Sequence, residues 1–254
     1  MPNASNGAPP ATRYTCAVPT LHVVATPIGN LTDITLRALE VLRSVDVIAC
    51  EDTRHSRRLL SHHDIGTRVV AYGHSEDGAA RVMGELRRGH EVALITDAGT
   101  PAISDPGAAA VAAARAEGYA VSPIPGASAL AALLSVAGAS AQYAIFYGFL
   151  SPKAGRRRRQ LASLLQPSWP FVLYESPHRI LATLQDLASA GASRQIVVGR
   201  ELTKLHEEIL AGTAEVVLTE LTNRPKIQGE FCVFVAADTD AAEAPAGPRS
   251  AHSS

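Results

Sequence analysis

Ionisable side chains that follow predicted β-strands are the residues of this chain best suited to chemistry. Both carboxylates and cations occur at these positions: Asp52, Arg54, Glu175, Arg179 and Lys204. A carboxylate beside a hydroxyl proton acts as a general base, and arginine or lysine stabilises developing negative charge or binds phosphate. Because the carboxyl ends of parallel strands meet at one edge of a sheet, these side chains are expected to face one cleft.

Each of these residues also has a plain structural interpretation. Glu51 and Arg54 could form a surface pair that caps the helix after them. His178 lies close to a predicted helix start and could be a capping or solvated residue. The residue types leave the choice of base open, and we favour Asp52 and Glu175, with the three cations as charge partners or phosphate contacts.

The stretch Thr96-Asp97-Ala98-Gly99-Thr100-Pro101-Ala102-Ile103-Ser104-Asp105-Pro106-Gly107, here called the central loop, is expected to hold a ligand. It joins the apolar run 92–95, which ends a predicted strand, to an alanine-rich helix predicted at 108–116. Its glycines allow a ligand close to the backbone, and its prolines and aspartates favour a fixed turn. The alternative is an ordinary strand-to-helix connection, which needs neither this length nor these residues.

Strands and helices alternate around this loop, which predicts an α/β fold with a parallel sheet. The predicted strands are residues 21–26, 46–50, 68–72, 91–95, 119–124, 143–149, 171–174, 195–198, 206–211 and 231–235. The predicted helices are residues 31–44, capped by Thr32 or Asp33, and 53–62, 77–88, 108–116, 128–137, 151–165, 180–190 and 214–221.

A small, polar segment at 138–141 is a plausible link between two domains. The expected division is a disordered tail at 1–19, an α/β domain with a parallel sheet at 20–139, an α/β domain with a mixed sheet at 140–238, and a disordered tail at 239–254.

Composition limits the class of protein. The chain has 254 residues, 46% of them hydrophobic, without an apolar run long enough to cross a bilayer, so we expect a soluble cytoplasmic protein. Its three scattered cysteines suggest neither disulfides nor a metal site. The net charge of −1 means that any nucleic-acid contact is local. One dense basic cluster could bind phosphates or be a solvated helix face: Lys153, Arg156, Arg157, Arg158 and Arg159.

Two common nucleotide-binding motifs are absent from the sequence. The first predicted strand ends in Thr26-Pro27-Ile28-Gly29-Asn30, which lacks the G-x-G-x-x-G pattern of dinucleotide-binding folds. There is also no G-x-x-x-x-G-K-[ST] loop for a nucleoside triphosphate. A ligand held by several loops and few charges remains, and the glycine-rich loops by themselves do not identify it.

Several motifs together resemble a known family. Besides the central loop they are Thr26-Pro27-Ile28-Gly29-Asn30-Leu31, Glu51-Asp52-Thr53-Arg54, Pro125-Gly126-Ala127-Ser128-Ala129, Tyr174-Glu175-Ser176-Pro177-His178-Arg179 and Arg200-Glu201-Leu202-Thr203-Lys204. In this order, over residues 21–236, the chain resembles the tetrapyrrole methylase superfamily, and most closely its ribosomal branch. The resemblance implies a class III methyltransferase with two α/β domains and S-adenosylmethionine in the cleft between them.

The resemblance also implies site residues and a substrate. The cofactor site would be lined by Pro27, Ala98, Gly99, Thr100, Ile103, Ser128, Ala129, Tyr174 and Gly212. The implied reaction is methylation of the ribose 2′-hydroxyl of a cytidine in the decoding region of 16S rRNA, by a homodimer that has no membrane or DNA partner. Two alternatives stay open: a tetrapyrrole C-methyltransferase, and a ribosome-assembly factor that binds RNA without catalysis.

Overall fold

The computed structural model describes residues 18–73, 76–139, 143–190 and 193–238. The predicted disorder at residues 1–17 and 239–254, and part of the predicted link at 138–141, lie outside the described residues. Among the described helices, none combines the length and the apolar character that a bilayer crossing requires.

The first half of the chain forms a five-stranded parallel sheet. Its strands are β1 (Thr20–Val24), β2 (Val47–Cys50), β3 (Arg68–Ala71), β4 (Val92–Ile95) and β5 (Ala120–Ile124), in the order β3-β2-β4-β1-β5. The helices between and after them are α1 (Leu36–Ser44), α2 (Thr53–His62), α3 (Glu76–Arg87), α4 (Ala108–Ala116) and α5 (Ala129–Val136). Every residue of β2 and β4 is buried, because helices cover both faces of a parallel sheet.

The second half forms a mixed five-stranded sheet. Its strands are β6 (Ile145–Phe149), β7 (Phe171–Glu175), β8 (Gln195–Arg200), β9 (Glu208–Thr213) and β10 (Phe231–Val235), in the order β6-β7-β10-β8-β9. Only the β6–β7 pair is parallel. The helices are α6 (Ala154–Leu165), α7 (Ile180–Ser189) and α8 (Ala214–Thr222).

Helix α5 connects the two halves through its packing. The core on one face of the second sheet includes residues of α6, α7 and α8, whereas on the other face Leu133 of α5 packs among Val172, Val197 and Phe234. A helix that follows the first sheet therefore completes the core of the second. The fold is the expected α/β arrangement with two sheets, while the predicted domain boundary at residues 139 and 140 stays a prediction.

The helix predicted at residues 31–44 is wrong in its first turn. Leu31–Asp33 is a short 3-10 turn, which Asn30 caps by accepting the Thr32 N–H at 3.1 Å. The backbone is then extended at Thr35, and α1 begins only at Leu36. Thr35 caps α1, in place of the predicted Thr32 or Asp33, because its Oγ1 accepts the Ala38 N–H at 3.1 Å.

A buried carboxylate anchors α3 to the parallel sheet. The side chain of Glu85 is only 7% exposed, and it accepts hydrogen bonds from Arg68, Arg88 and His90. The hydrogen bond from Arg68 is the main reason that the pKa of Glu85 falls to about 2. Since the folded-state pKa is depressed, the stabilisation is complete above the unfolded pKa of 4.5 and is lost as the pH falls towards 2.

Replacing Glu85 with glutamine should lower the free energy of unfolding at pH 7 by about 2 kcal/mol, because cations packed against a buried group lose their charge partner. Urea titrations at several pH values measure this difference, which should shrink as the pH approaches 2. Glu117→Gln removes a solvent-exposed partner of Arg87 and is the matched control with little effect. Equal losses in the two variants would contradict the assigned role of Glu85.

Candidate active site

A cavity of about 350 Å³ lies between the two halves, at the carboxyl ends of β4, β6 and β7. Its volume is typical of a small-molecule site. The lining residues come from loops of both sheets: Ile28, Ala98, Gly99, Thr100, Ile103, Ser104, Asp105, Ser128, Ala129, Phe149, Tyr174, Glu175, Ser176, Pro177, Gly199, Leu202, Lys204, Glu230, Phe231 and Cys232. The cavity therefore exists only when the two halves come together.

The central loop forms one wall of the cavity. Thr26 and Gly99 exchange backbone hydrogen bonds of 2.9 and 3.1 Å, which tie the loop to the end of β1. Glycine is favoured at position 99, because its φ of +77° lies in the left-handed region that residues with a Cβ rarely adopt. Ala102 and Ser104 adopt φ values of 68° and 64° although they carry a Cβ. Backbone strain of this kind concentrates at functional sites.

A second strained loop, residues 201–204, faces the cavity from the other half. Glu201 and Thr203 have φ values of 50° and 67°. Of the five non-glycine residues with positive φ in the part of the chain that the structure describes, four lie in these two loops. Backbone strain in the described residues is thus concentrated in two loops that contribute residues to the cavity wall, as is common at functional sites.

Lys204 places an ammonium group in the cavity wall. Its Nζ donates to Glu201 Oε1 at 2.8 Å and to Glu230 Oε2 at 3.0 Å. Burial by itself would lower the pKa of Lys204, but the two carboxylates outweigh it and the pKa is raised, so the group is charged. A Cβ on Gly29 would collide with the Lys204 stem, so the glycine allows the first half to pack closely against this lysine.

Tyr174 joins the second sheet to the start of α5. Its hydroxyl oxygen accepts the Leu130 N–H at 3.2 Å, in a helix whose N-cap residue, Ser128, makes no capping hydrogen bond of its own. Burial raises the pKa of Tyr174 to about 12, so the phenol stays neutral. Burial likewise raises the pKa of the cavity-lining Cys232 thiol to about 12, which argues against a thiolate nucleophile.

Glu175 lines the cavity, but its carboxylate is enclosed. The side chain is 1% exposed, and its oxygens accept from Ser176 N, Thr183 Oγ1 and Arg179 Nη2 at 2.7–2.8 Å. Arg179 also donates to the Leu150 carbonyl at 3.3 Å, so the ion pair holds the end of β7 to the end of β6. With its acceptors occupied, Glu175 is better placed to position Arg179 than to take a proton.

Asp52 and Arg54 lie outside the cavity lining. The Asp52 carboxylate caps α2 by accepting the Arg54 N–H at 2.8 Å and forms an ion pair with the Arg54 guanidinium, which is 88% exposed. Hydrogen bonds from Arg54 lower the pKa of Asp52, which makes it a weaker base. The capping role considered for Glu51 is therefore filled by Asp52.

Seven of the nine predicted cofactor residues line the cavity. The exceptions are Pro27, which is buried while Ile28 lines the cavity in its place, and Gly212. Gly212 pairs with Ile196 near the start of β8, whereas the cavity is lined by Gly199 near the end of that strand. Pro27 and Gly212 therefore do not line the cavity, and their assignment to the cofactor stays a prediction.

Five of the lining residues belong to none of the sequence motifs and were not predicted as site residues: Phe149, Gly199, Glu230, Phe231 and Cys232. They lie at strand ends of the second sheet, where antiparallel pairing brings the start of β10 beside the ends of β7 and β8. Of these five residues, only Phe149 could have been predicted to line a site, because it ends a predicted strand directly before the basic cluster.

The basic cluster divides into exposed and buried members. Lys153, Arg156 and Arg159 are exposed at the start of α6. Arg157 is buried and donates to Asp186 at 2.7 Å, so it holds α6 against α7 and is not available to a phosphate. Arg158 donates to the same carboxylate at 2.9 Å, but its side chain is 70% exposed.

The two α/β sheets and the cavity between them agree with the sequence comparison, which shows the class of protein. The chain belongs to the family of tetrapyrrole (corrin/porphyrin) methylases, which it matches over residues 20–217. Members of this family take their methyl group from S-adenosylmethionine.

Two of the most similar relatives carry the same name. The chain is 47% identical to the ribosomal RNA small subunit methyltransferase I of Synechocystis, across 86% of this chain and 79% of that protein. It is also 47% identical to the protein of the same name from Xylella fastidiosa, across 91% and 86% of the two chains. In structure it is similar to a cobalamin biosynthetic enzyme, cobalt precorrin-4 methyltransferase, with a TM-score of 0.63 and 19% identity over 85% and 94% of the two chains.

The cavity residues fit the methyl donor of this family. Gly99 leaves the wall free of a side chain, and much of the remaining wall is small or apolar, which suits the adenosine part. The carboxylates of Asp105 and Glu230 also line the cavity and suit a positively charged sulfonium and amino group.

Proposed function

We propose that this protein methylates the ribose 2′-hydroxyl of a cytidine in the decoding region of 16S rRNA, using S-adenosylmethionine bound in the cavity. The observation that carries the proposal is the 47% identity with two proteins named ribosomal RNA small subunit methyltransferase I, over 86% and 91% of this chain. The proposal includes action on the small ribosomal subunit in the cytoplasm, as a homodimer.

Bound S-adenosylmethionine supplies an activated methyl group with a good leaving group. The cavity walls position the acceptor hydroxyl for in-line attack, and positioning of this kind contributes much of the rate. Lys204 is the cation in the wall that stabilises the developing alkoxide. Of the cavity carboxylates, Glu230 is 78% exposed and can accept the hydroxyl proton, whereas Glu175 is enclosed.

Transfer of labelled methyl groups tests the proposal directly. Undermethylated 30S subunits, naked 16S rRNA and a precorrin are offered side by side, and labelled RNA is mapped with nucleases. Label on a ribose in the decoding region is expected, and it also shows which assembly state is the substrate. Label only on the precorrin would indicate a tetrapyrrole methyltransferase, and cofactor binding without transfer would indicate an assembly factor.

The exposed cations of α6 are expected to bind RNA phosphates. Single changes of Lys153, Arg156 or Arg159 to glutamine should each reduce the slope of log K against log salt concentration by about 0.7–0.9, since each removes one phosphate contact. Equilibrium binding to 30S subunits at several salt concentrations measures the slope. Arg115→Gln, an exposed change in the last turn of α4, is the control. Unchanged slopes for all three variants would restrict α6 to a solvated helix face.

A further inference from the structure

Phe149 is a large apolar residue whose exposure the fold does not explain. It is the last residue of β6, its side chain lines the cavity, and half of its surface (50%) is exposed. An exposed aromatic ring beside a polar reaction site costs hydrophobic stabilisation unless a ligand covers it.

The ring is held in a fixed orientation. Tyr174 contacts it edge to face with the ring centroids 5.8 Å apart, and the Arg179 guanidinium lies 5.9 Å from its centroid. Arg179 is itself fixed by the ion pair with Glu175 at 2.8 Å and by its hydrogen bond to the carbonyl of Leu150, the residue after Phe149. The orientation of the Phe149 ring is therefore fixed before a ligand binds.

A β-bulge directs the ring towards the cavity. The pairing of β6 with β7 shifts register between Phe146 and Gly148, and Gly148 has a φ of +75°. A Cβ at Gly148 would lie 2.7 Å from Ser104 Oγ, so the missing side chain lets the strand end approach the central loop. Bulges often redirect a side chain beside an active site.

Charge next to the ring indicates the kind of ligand. Lys153, four residues after Phe149 in the chain, is the N-cap residue of α6, and exposed Arg156 follows in the first turn. An aromatic ring beside cations suits a nucleotide, whose base stacks on the ring while its phosphates meet the cations. A ribose hydroxyl also reaches a methyl group inside a cleft most readily when its base is unstacked from the RNA.

We propose that Phe149 is the stacking platform for the unstacked base of the nucleotide that receives the methyl group. This inference rests on the proposed function and adds a base-binding subsite at the rim of the cavity. Phe149 acts as a positioning residue, since it touches the base and no reacting atom.

The test compares Phe149→Leu with the conservative Phe149→Tyr. Leucine keeps the apolar surface without a π-face, so the KM for 30S subunits should rise about tenfold while the Kd for S-adenosylmethionine stays unchanged. Tyrosine should restore the wild-type KM. Trp169→Leu is the matched control, because Trp169 is 59% exposed just before β7 begins, away from the strand end that lines the cavity.

A second measurement separates this inference from the proposed function. Fluorescence anisotropy of a labelled ten-nucleotide cytidine oligomer reports base binding without turnover, and Phe149→Leu should weaken it about tenfold. If the wild type methylates no RNA but oligomer binding depends on Phe149, the proposed function fails, whereas the role of Phe149 in binding a base stands. Three results would overturn the subsite: unchanged RNA binding and KM, weaker cofactor binding alone, or a loss of dimers in sedimentation, which would make Phe149 an interface residue.

Discussion

Replacing Lys204 with methionine is expected to lower kcat about 100-fold. The ammonium group is the cation in the cavity wall, and loss of one group that stabilises transition-state charge typically costs this much. The change also leaves the carboxylates of Glu201 and Glu230 without the group that links them. The Kd for S-adenosylmethionine should not rise, because removing a positive charge does not weaken the binding of a cationic sulfonium. Single-turnover methyl transfer and calorimetric cofactor titration measure the two quantities.

Two variants show whether the charge of Lys204 matters. Lys204→Arg keeps a cation near Glu230 and should recover part of the rate, although the planar guanidinium fits the packing against Gly29 less well. Lys226→Met removes an exposed lysine that does not line the cavity and should leave kcat unchanged. A wild-type rate in Lys204→Met would remove this residue from the proposed mechanism.

Replacing Gly99 with valine is expected to raise the Kd for S-adenosylmethionine about 100-fold or more. Valine is disfavoured at a φ of +77°, and a Cβ there already lies 3.4 Å from Ile28 Cγ2, in the cavity wall. The two methyl groups that valine carries on this Cβ would have to enter the cavity or displace Ile28. Calorimetric titration of the folded variant measures the Kd, and circular dichroism confirms that it has folded.

Gly118→Val is the matched control for this change. Gly118 has a φ of +81°, and a Cβ there would meet nothing within 4 Å. Both variants should therefore lose a similar free energy of unfolding, about 1–2 kcal/mol, from backbone strain. Only Gly99→Val should lose the cofactor. Equal cofactor affinities in the two variants would mean that the central loop does not bind S-adenosylmethionine.

Local patterns determined most of the secondary structure. Helix α4 has the predicted bounds, Ala108–Ala116, because alanine has the highest intrinsic helix propensity. Helix α2 likewise has its predicted bounds, Thr53–His62. The predicted start of α1 was wrong because the backbone is extended at Ile34 and Thr35, between the 3-10 turn and α1, and the residue types do not display this break.

The most complete prediction of cavity residues concerns the loop that supplies several of them. The central loop could be predicted to bind a ligand, since its glycines and prolines are close in sequence and their effect on the backbone is local. The sequence did not show which members of the basic cluster are exposed and which are buried. Arg157 is buried because α7 brings Asp186 to it, and this contact joins residues that are distant in the chain.

The sequence by itself determined the α/β class, the central loop and the family resemblance, because these depend on residue types at short spacing. The tertiary structure decided which groups face the cavity. It placed Lys204, Glu230 and Phe149 around one space, enclosed the Glu175 carboxylate, and turned Asp52 into a helix cap. The physical reason is that strand order and the packing of α5 across both halves, which are long-range interactions, decide what each side chain contacts.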